Sequence, residues 1–176
     1  MHLSTPIAAE QAMEDFLGDP RRDDSRISFA ESLRLDETEA FPQSAIAALD
    51  AFGLQRFYVP SAYGGALHDL DVLTALVRCV ARRDLTAAIA HAKTFLGAGP
   101  IWISGSTAQK QQLGAAINDG AKVALGLTEE AHGGDLFATE TSAEPTPAGY
   151  VIRGKKWLIN NATRGDAITE IGRAHV

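Results

Sequence analysis

Apolar residues recur at helical spacing through roughly the first 120 positions, and the period then shortens. Ile7, Met13, Phe16 and Leu17 make a weak first stripe, and Ile27 through Leu35 make a second. Pro42 fits the first turn of a third helix, which carries Ile46, Leu49, Ala51 and Phe52 and stops at Gly53. A short extended piece ends at Pro60, and Tyr63-Gly64-Gly65 signals a turn. Leu70, Leu73, Leu76, Val77 and Val80 resume the helical spacing, and Asp84 caps a small-residue helix that Pro100 is expected to interrupt or kink. Ser106 and Gln109 have capping-box spacing and open a helix expected to run to about Asn118.

Beyond Gly120 the pattern turns strand-like. "KVALGLT" is short and apolar, "ATETSAEP" alternates in part, and "YVIRGKKWLIN" is rich in β-branched and aromatic residues, with Gly154 as a turn or bulge. The pattern predicts an α+β protein. An all-α N-terminal bundle spans residues 1–120, and the first strands of an antiparallel β-domain span 121–169. Some 50 residues of strand are too few to close a sheet around their own core, so the chain reads as cut. The final "EIGRAHV", residues 170–176, shows neither periodicity and matches what one reading frame of a common sequencing adapter encodes. The expectation is a native sequence that stops near Thr169, followed by a non-native, unpatterned tail.

Composition narrows the function. A net charge of -6 without a Lys/Arg-rich face argues against a general nucleic-acid binder. No apolar run approaches the roughly 20 residues that insert across a bilayer, and the first residues lack a signal-peptide pattern. The single cysteine, Cys79, lies in an apolar helical stretch and reads as a buried thiol. These features together predict a cytoplasmic protein.

The densest chemistry is "GLTEEAHGGD", Gly126 to Asp135. A metal cluster, a phosphate-cradling turn and a charged loop all fit its composition. Glu130, His132 and Asp135 offer N and O ligands, but no second ligand cluster is spaced to complete a site, so no metal is expected. His132 then reads as a solvent-facing loop residue. A strand ending at Thr128 and turning through Gly133-Gly134 leaves backbone amides open to a diphosphate or ring edge. Glu129, Glu130 and Asp135 must then point away or hold the loop, and Asp135 is placed to cap the next segment of chain. A second segment, "GKKWLINNA", sets Trp157, Leu158 and Ile159 beside Asn160 and Asn161. Its flat apolar surface and amide donors suit a planar heteroaromatic ring, and they equally suit a half-buried strand entering an Asn-rich turn.

In order, "YVPSAYGG", "FLGAGPIWISGSTAQKQQ", "LGLTEEAHGGDLFATETSAE" and "GYVIRGKKWLINNATRGDA" resemble the N-terminal helical domain and the start of the middle β-domain of the acyl-CoA dehydrogenase family. The similarity runs from about Phe41 to Ala167, and the "LTE…GGD" and "G-x-K…N" pair is its specific part. It implies FAD as cofactor, with Leu125, Leu127 and Thr128 lining the flavin. Gly133 and Gly134 would lie where the chain passes the diphosphate, and Gly134 would also meet the pantetheine arm of the substrate. Leu158, Ile159 and Asn160 would form a second flavin-contacting strand near the reactive N5. His91 falls in the helix flanking the acyl pocket and reads as a core histidine.

The sequence departs from the family at several of these positions. Glu130 stands where the family usually has Pro, Gly134 where it has Ser, Leu158 where an aromatic packs on the flavin, and Asn160 where a Thr bonds N5. The resemblance implies α,β-dehydrogenation of an acyl thioester, acyl-CoA or an acyl carrier, by a carboxylate base from a C-terminal helical domain absent from this sequence. It further implies an electron-transfer flavoprotein or similar acceptor and a homotetrameric or homodimeric whole. No catalytic residue is therefore assigned here, and the chain alone is expected to bind FAD weakly and to be inactive. Two other readings stay open: a flavin-dependent monooxygenase of the same fold, and a non-catalytic helical binding module.

Overall fold

The computed structural model describes Leu3 and residues 5–174. Helix α1 (Pro6–Leu17) starts where Thr5 accepts a hydrogen bond from Ala8 N–H, with Pro6 in the first turn. Ala9, Met13 and Leu17, four residues apart, bury one face, while Ile7 is exposed. That face packs on α4 (Leu70–Ala81), capped by Asp69. Ion pairs cross the seam: Glu10 meets Arg78 at 2.7 Å, and Glu14 meets Arg82 and Arg83 at 2.5 and 2.7 Å. Cys79 is buried on α4, as its surroundings in the sequence imply. Helix α2 (Phe29–Glu37) begins after its cap Ser28 and buries none of its residues, so the second stripe contributes Ile27 to the core but not the helix itself.

Helix α3 (Gln43–Phe52) stops at Gly53, whose left-handed φ of 83° lets the chain reverse into a 3-10 turn over Leu54–Tyr58. That turn replaces the extended piece expected before Pro60, because Leu54, Phe57 and Tyr58 must all face the core. Helix α5 (Leu85–Ser104) is the axis of the molecule. Ala87, Ala88, His91, Thr94, Gly97 and Ala98 are buried along it. It runs through Pro100 without ending. The N–H missing at Pro100 would have bonded back to Leu96, which lies on the exposed side of the helix. Helix α6 (Thr107–Asn118) opens with the expected capping box, Ser106 and Gln109 bonding each other's backbone.

Strand β1 (Val123–Gly126) lies directly on α5, with Val123 N–H donating to Thr94 Oγ1 at 3.3 Å. β2 (Ser142–Thr146) and β3 (Gly149–Arg153) form an antiparallel hairpin around Pro147-Ala148, as the pattern predicts. The other two ladders are parallel, which corrects the expectation of antiparallel pairing throughout. β4 (Ala167–Glu170) pairs with β1, and β5 (Arg173–Ala174) pairs with β2. The Cα partners Val123 and Ala167 lie 44 positions apart, so the chain has length enough to return to the same end before pairing. The last described residues are paired as well. Glu170 completes β4, Ile171 N–H donates to Gly126 O at 3.0 Å and Arg173 N–H to Thr141 O at 2.8 Å. Free backbone carbonyls at Gly126 and Thr141 account for this order without any side-chain pattern. His175 and Val176, the end of that expected tail, lie outside the described residues.

Candidate functional site

Two segments far apart in sequence meet beyond the end of β1. Trp157 N–H donates to Thr128 O at 2.9 Å, and Glu129 and Lys156 form an antiparallel bridge. The structure thus brings together the two motifs that the sequence singled out. Leu125 and Leu127 are half-buried as the chain leaves β1, and Leu127 O accepts from Lys156 Nζ at 3.1 Å. Thr128 is half-buried, and neither its N–H nor its hydroxyl has a partner among the described residues.

Beneath this surface lies a buried charge pair. Lys156 Nζ reaches Glu129 Oε1 at 2.9 Å, with only 8% and 6% of the two side chains exposed. Glu129 also accepts from Glu140 N–H at 2.7 Å, Thr141 N–H at 2.9 Å and the Thr141 hydroxyl at 2.5 Å. The Glu140 amide, then Lys156 and Thr141, hold the Glu129 carboxyl far below the usual carboxylate range. Glu129 is therefore a brace for the loop, and its proton affinity is too low for it to act as a base at neutral pH.

The remaining charges of the loop are also engaged. Glu130 pairs with Lys155 at 2.7 Å, and Asp135 caps the 3-10 turn Leu136–Ala138 through Phe137 and Ala138 N–H. His132 is half-buried rather than solvent-facing. The loop folds it inward, 3.1 Å from Glu140 Oε1 but without hydrogen-bond alignment. Ligand atoms of Glu129, His132 and Glu140 lie within 4.8 Å of one another. Both Glu129 oxygens already accept hydrogen bonds, and the Lys156 ammonium beside them opposes a cation, so this set is poorly suited to a metal.

Gly133 and Gly134 are exposed, and a Cβ at either would meet nothing within 4 Å. Neither has a positive φ, so the fold itself does not require glycine there. Their N–H groups have no acceptor among the described residues. Both glycines leave open space for something that approaches the backbone.

The expected strand through Leu158, Ile159 and Asn160 is not formed. β3 ends at Arg153, Leu158 takes a left-handed φ of 53° and Asn161 one of 64°. The cause is tertiary. Asn161 Nδ2 donates to Ala90 O on α5 at 2.6 Å, and Gly165 N–H closes onto Asn161 O at 2.7 Å, turning the chain back into β4. Leu158 is left 82% exposed and Trp157 39% exposed, with Lys155 Nζ 4.8 Å from the indole centroid. Ile159 is half-buried, and Asn160 lines a cavity of about 400 Å³ with Ile89, Asn161 and Arg164.

A polar chain connects α3 and α5 to the start of β1. The Tyr58 hydroxyl lies 2.6 Å from His91 Nδ1, His91 Nε2 lies 3.0 Å from Asp50 Oδ1, and Lys122 pairs with Asp50. Burial lowers the His91 pKa and raises that of Tyr58. Burial also works to raise Asp50, but His91 and Lys122 outweigh it and keep that carboxyl below its usual value. His91 is a core histidine, as read from the sequence. Lys122, which sequence reasoning missed, is the link to the β segment, and nothing in its local pattern marks it.

The family model for the acyl-CoA dehydrogenase N-terminal domain matches residues 27–121, more than half of the chain. A probable acyl-CoA dehydrogenase of Mycobacterium leprae is 31% identical over 128 residues, 72% of this chain and 33% of the relative. The mitochondrial short-chain specific acyl-CoA dehydrogenase of Sus scrofa is 31% identical over 136 residues, 76% of this chain and 33% of its own length. Among solved structures, butyryl-CoA dehydrogenase from Megasphaera elsdenii superposes with a TM-score of 0.78 at 25% identity, covering 96% of this chain and 44% of that one. The chain belongs to the acyl-CoA dehydrogenase family and spans about a third of the length of the curated relatives it matches.

Proposed function

We propose that residues 125–134 and 156–160 form one wall of an FAD site in an acyl-thioester dehydrogenase. The observation that carries this reading is the junction of the two segments through Thr128 and Trp157, which sets free donors beside an exposed apolar face. The residues fit the group. Thr128 N–H and hydroxyl face a ring edge, Trp157, Leu158 and Ile159 offer apolar surface for its face, and Asn160 adds an amide. The open amides of Gly133 and Gly134 suit a diphosphate, and Gly134 also suits the passing thioester arm. Anion repulsion is small, because Glu129 and Glu130 are each paired with a lysine and Asp135 with amides.

When bound, FAD supplies the hydride acceptor for α,β-desaturation. This chain's residues would bind and orient it. Proton abstraction needs a carboxylate with an ordinary or raised pKa, and Glu129 is disqualified by its four donors. The base in this reading belongs to the C-terminal helical region of the family, as does a second part of the flavin site. An electron-transfer flavoprotein as acceptor, a homotetrameric or homodimeric whole and a cytoplasmic location complete the proposal. No helix among the described residues is long and apolar enough to cross a membrane.

Titration of the 176-residue chain with FAD, followed by flavin fluorescence, tests the reading. Binding should be weak and saturable, without reduction of the flavin by an acyl-CoA. Thr128→Ala and Asn160→Ala should each weaken it about three- to tenfold, the worth of a single hydrogen bond. Stoichiometric yellow protein after gel filtration would contradict the weak binding. Absence of any saturable signal, or indifference to both substitutions, would overturn the site.

A further inference from the structure

A groove between α4 and α5 encloses about 680 Å³, with Tyr58, Leu73, Val77, Ile89, Phe95 and Leu96 among its walls. That is within the range of about 300–1,000 Å³ typical of small-molecule sites. The groove is apolar except for Thr74 and two cations, Arg78 and Lys93, and no carboxylate lines it. Arg78 is engaged with Glu10 at 2.7 Å. Lys93 is half-buried and has no ion-pair partner among the described residues. It sits on the stripe Ile89, Lys93, Leu96, where the spacing of four and three residues calls for an apolar side chain. An ammonium held against an apolar wall costs free energy unless it reaches water or an anion.

The groove adjoins the proposed flavin wall. Ile89 lines both the groove and the cavity of about 400 Å³ that contains Asn160. From Ile89 to Lys93 is about one turn of α5, roughly 6 Å along its axis. A chain with its reacting carbons beside Asn160 and its tail entering the groove at Ile89 would meet Lys93 about one helical turn further on. The cation that lines the Asn160 cavity, Arg164, stacks on Phe41 at 4.0 Å.

We infer that Lys93 is a specificity-determining residue that selects acyl thioesters ending in a second carboxylate, the CoA monothioesters of short dicarboxylic acids. The inference rests on the acyl-thioester reading above. The groove walls take the methylenes, and the ammonium takes the terminal carboxylate as a charge-assisted hydrogen bond. A neutral chain of the same length fills the same walls but leaves the ammonium unpaired, and this difference is the source of the discrimination.

The test compares hexanoyl-CoA with adipoyl-CoA, equal in chain length and differing in the terminal carboxylate. Each is titrated into isotope-labelled 176-residue chain, and binding is read from the NMR shifts of residues 85–96. Adipoyl-CoA should bind about five- to tenfold more tightly, above the factor of about five that an exposed ion pair supplies at most. Lys93→Gln should abolish the preference without weakening hexanoyl-CoA, and Lys93→Arg should retain it. Equal affinity for the two thioesters, or a preference that survives Lys93→Gln, would overturn the inference while leaving the acyl-thioester reading intact. Binding of neither thioester would overturn that reading, and the inference with it.

Discussion

Gly97 and Gly99 lie two residues apart in α5, yet alanine at the two positions should change stability by very different amounts. Replacing a mid-helix glycine by alanine favours the helix by up to about 1 kcal/mol. At Gly99 a Cβ meets nothing within 4 Å beyond its chain neighbours, but Pro100 follows, and its ring crowds a helical Cβ on the residue before it, which offsets the gain. At Gly97 the added carbon would lie 2.5 Å from Val123 O, 2.8 Å from Val123 C and 2.9 Å from Ala124 O. Comfortable separations are about 3.5 Å, so helix and strand would have to part by up to about 1 Å. All three atoms belong to the backbone of β1, which is held to Thr94 by Val123 N–H and to β4 by its ladder. Overpacking costs about 1–3 kcal/mol, and with backbone on one side and a rigid helix on the other the cost belongs near the top. Gly97→Ala should therefore lose about 2 kcal/mol net, and Gly99→Ala should stay within about 1 kcal/mol of the parent. Urea denaturation followed by circular dichroism resolves both. With a slope of about 2 kcal/mol/M, the Gly97→Ala midpoint should fall by about 1 M. A Gly97→Ala midpoint at or above that of the parent would refute the idea that glycine is needed there for the approach of β1.

Three further outcomes rest on the buried groups. Tyr58→Phe removes the donor to His91 Nδ1 in a fully buried site and should cost about 1–3 kcal/mol in the same denaturation assay. Burial lowers the His91 pKa, so the unfolded chain binds that proton more readily. The corresponding stability is complete above the unfolded value near 6.5 and drains away as pH falls below it. Melting temperatures of the parent should fall between pH 6.5 and 5, and those of His91→Gln should stay flatter across the same range. Burial, then its neighbour Glu14, pushes the Cys79 thiol up to about 11, so a disulfide reagent at pH 8 should react with it only after denaturant is added.

The helical half was legible in the sequence because each signal there is local. The caps Asp69, Asp84 and Ser106, the stop at Gly53 and the apolar stripes act over one or two turns. The motifs around Thr128 and Asn160 were legible as residue types, and their meeting came from family resemblance rather than from any local pattern. What could not be read is what distant partners impose. "WLIN" reads as a strand, but a side-chain bond from Asn161 to Ala90, 71 residues away, bends it into a turn. Glu129 and Lys156, 27 positions apart, look like ordinary loop charges until the fold brings them into one buried pair. Parallel pairing of β1 with β4 is likewise invisible to a period-2 pattern, which marks faces and not partners.

The placement of Thr128 depends on a register set in the helical layer. β1 is only four residues long and buries Val123 and Ala124 against α5. A strand so short has little ladder of its own to resist sliding. Three contacts fix it at its start: Gly97 against its backbone, Thr94 on Val123 N–H, and Lys122 on Asp50 of the His91 chain. All three lie on or lead to α5, the helix that also carries Ile89 and Lys93 on its exposed side. One helix therefore sets both the position of the proposed flavin-facing residues and the wall along which an acyl chain would run. Because the two are spaced by a single rigid element, a shift of β1 should weaken FAD binding at Thr128 without changing the groove around Lys93. The Gly97→Ala variant separates them: FAD affinity should fall with it, while the preference for adipoyl-CoA over hexanoyl-CoA should persist.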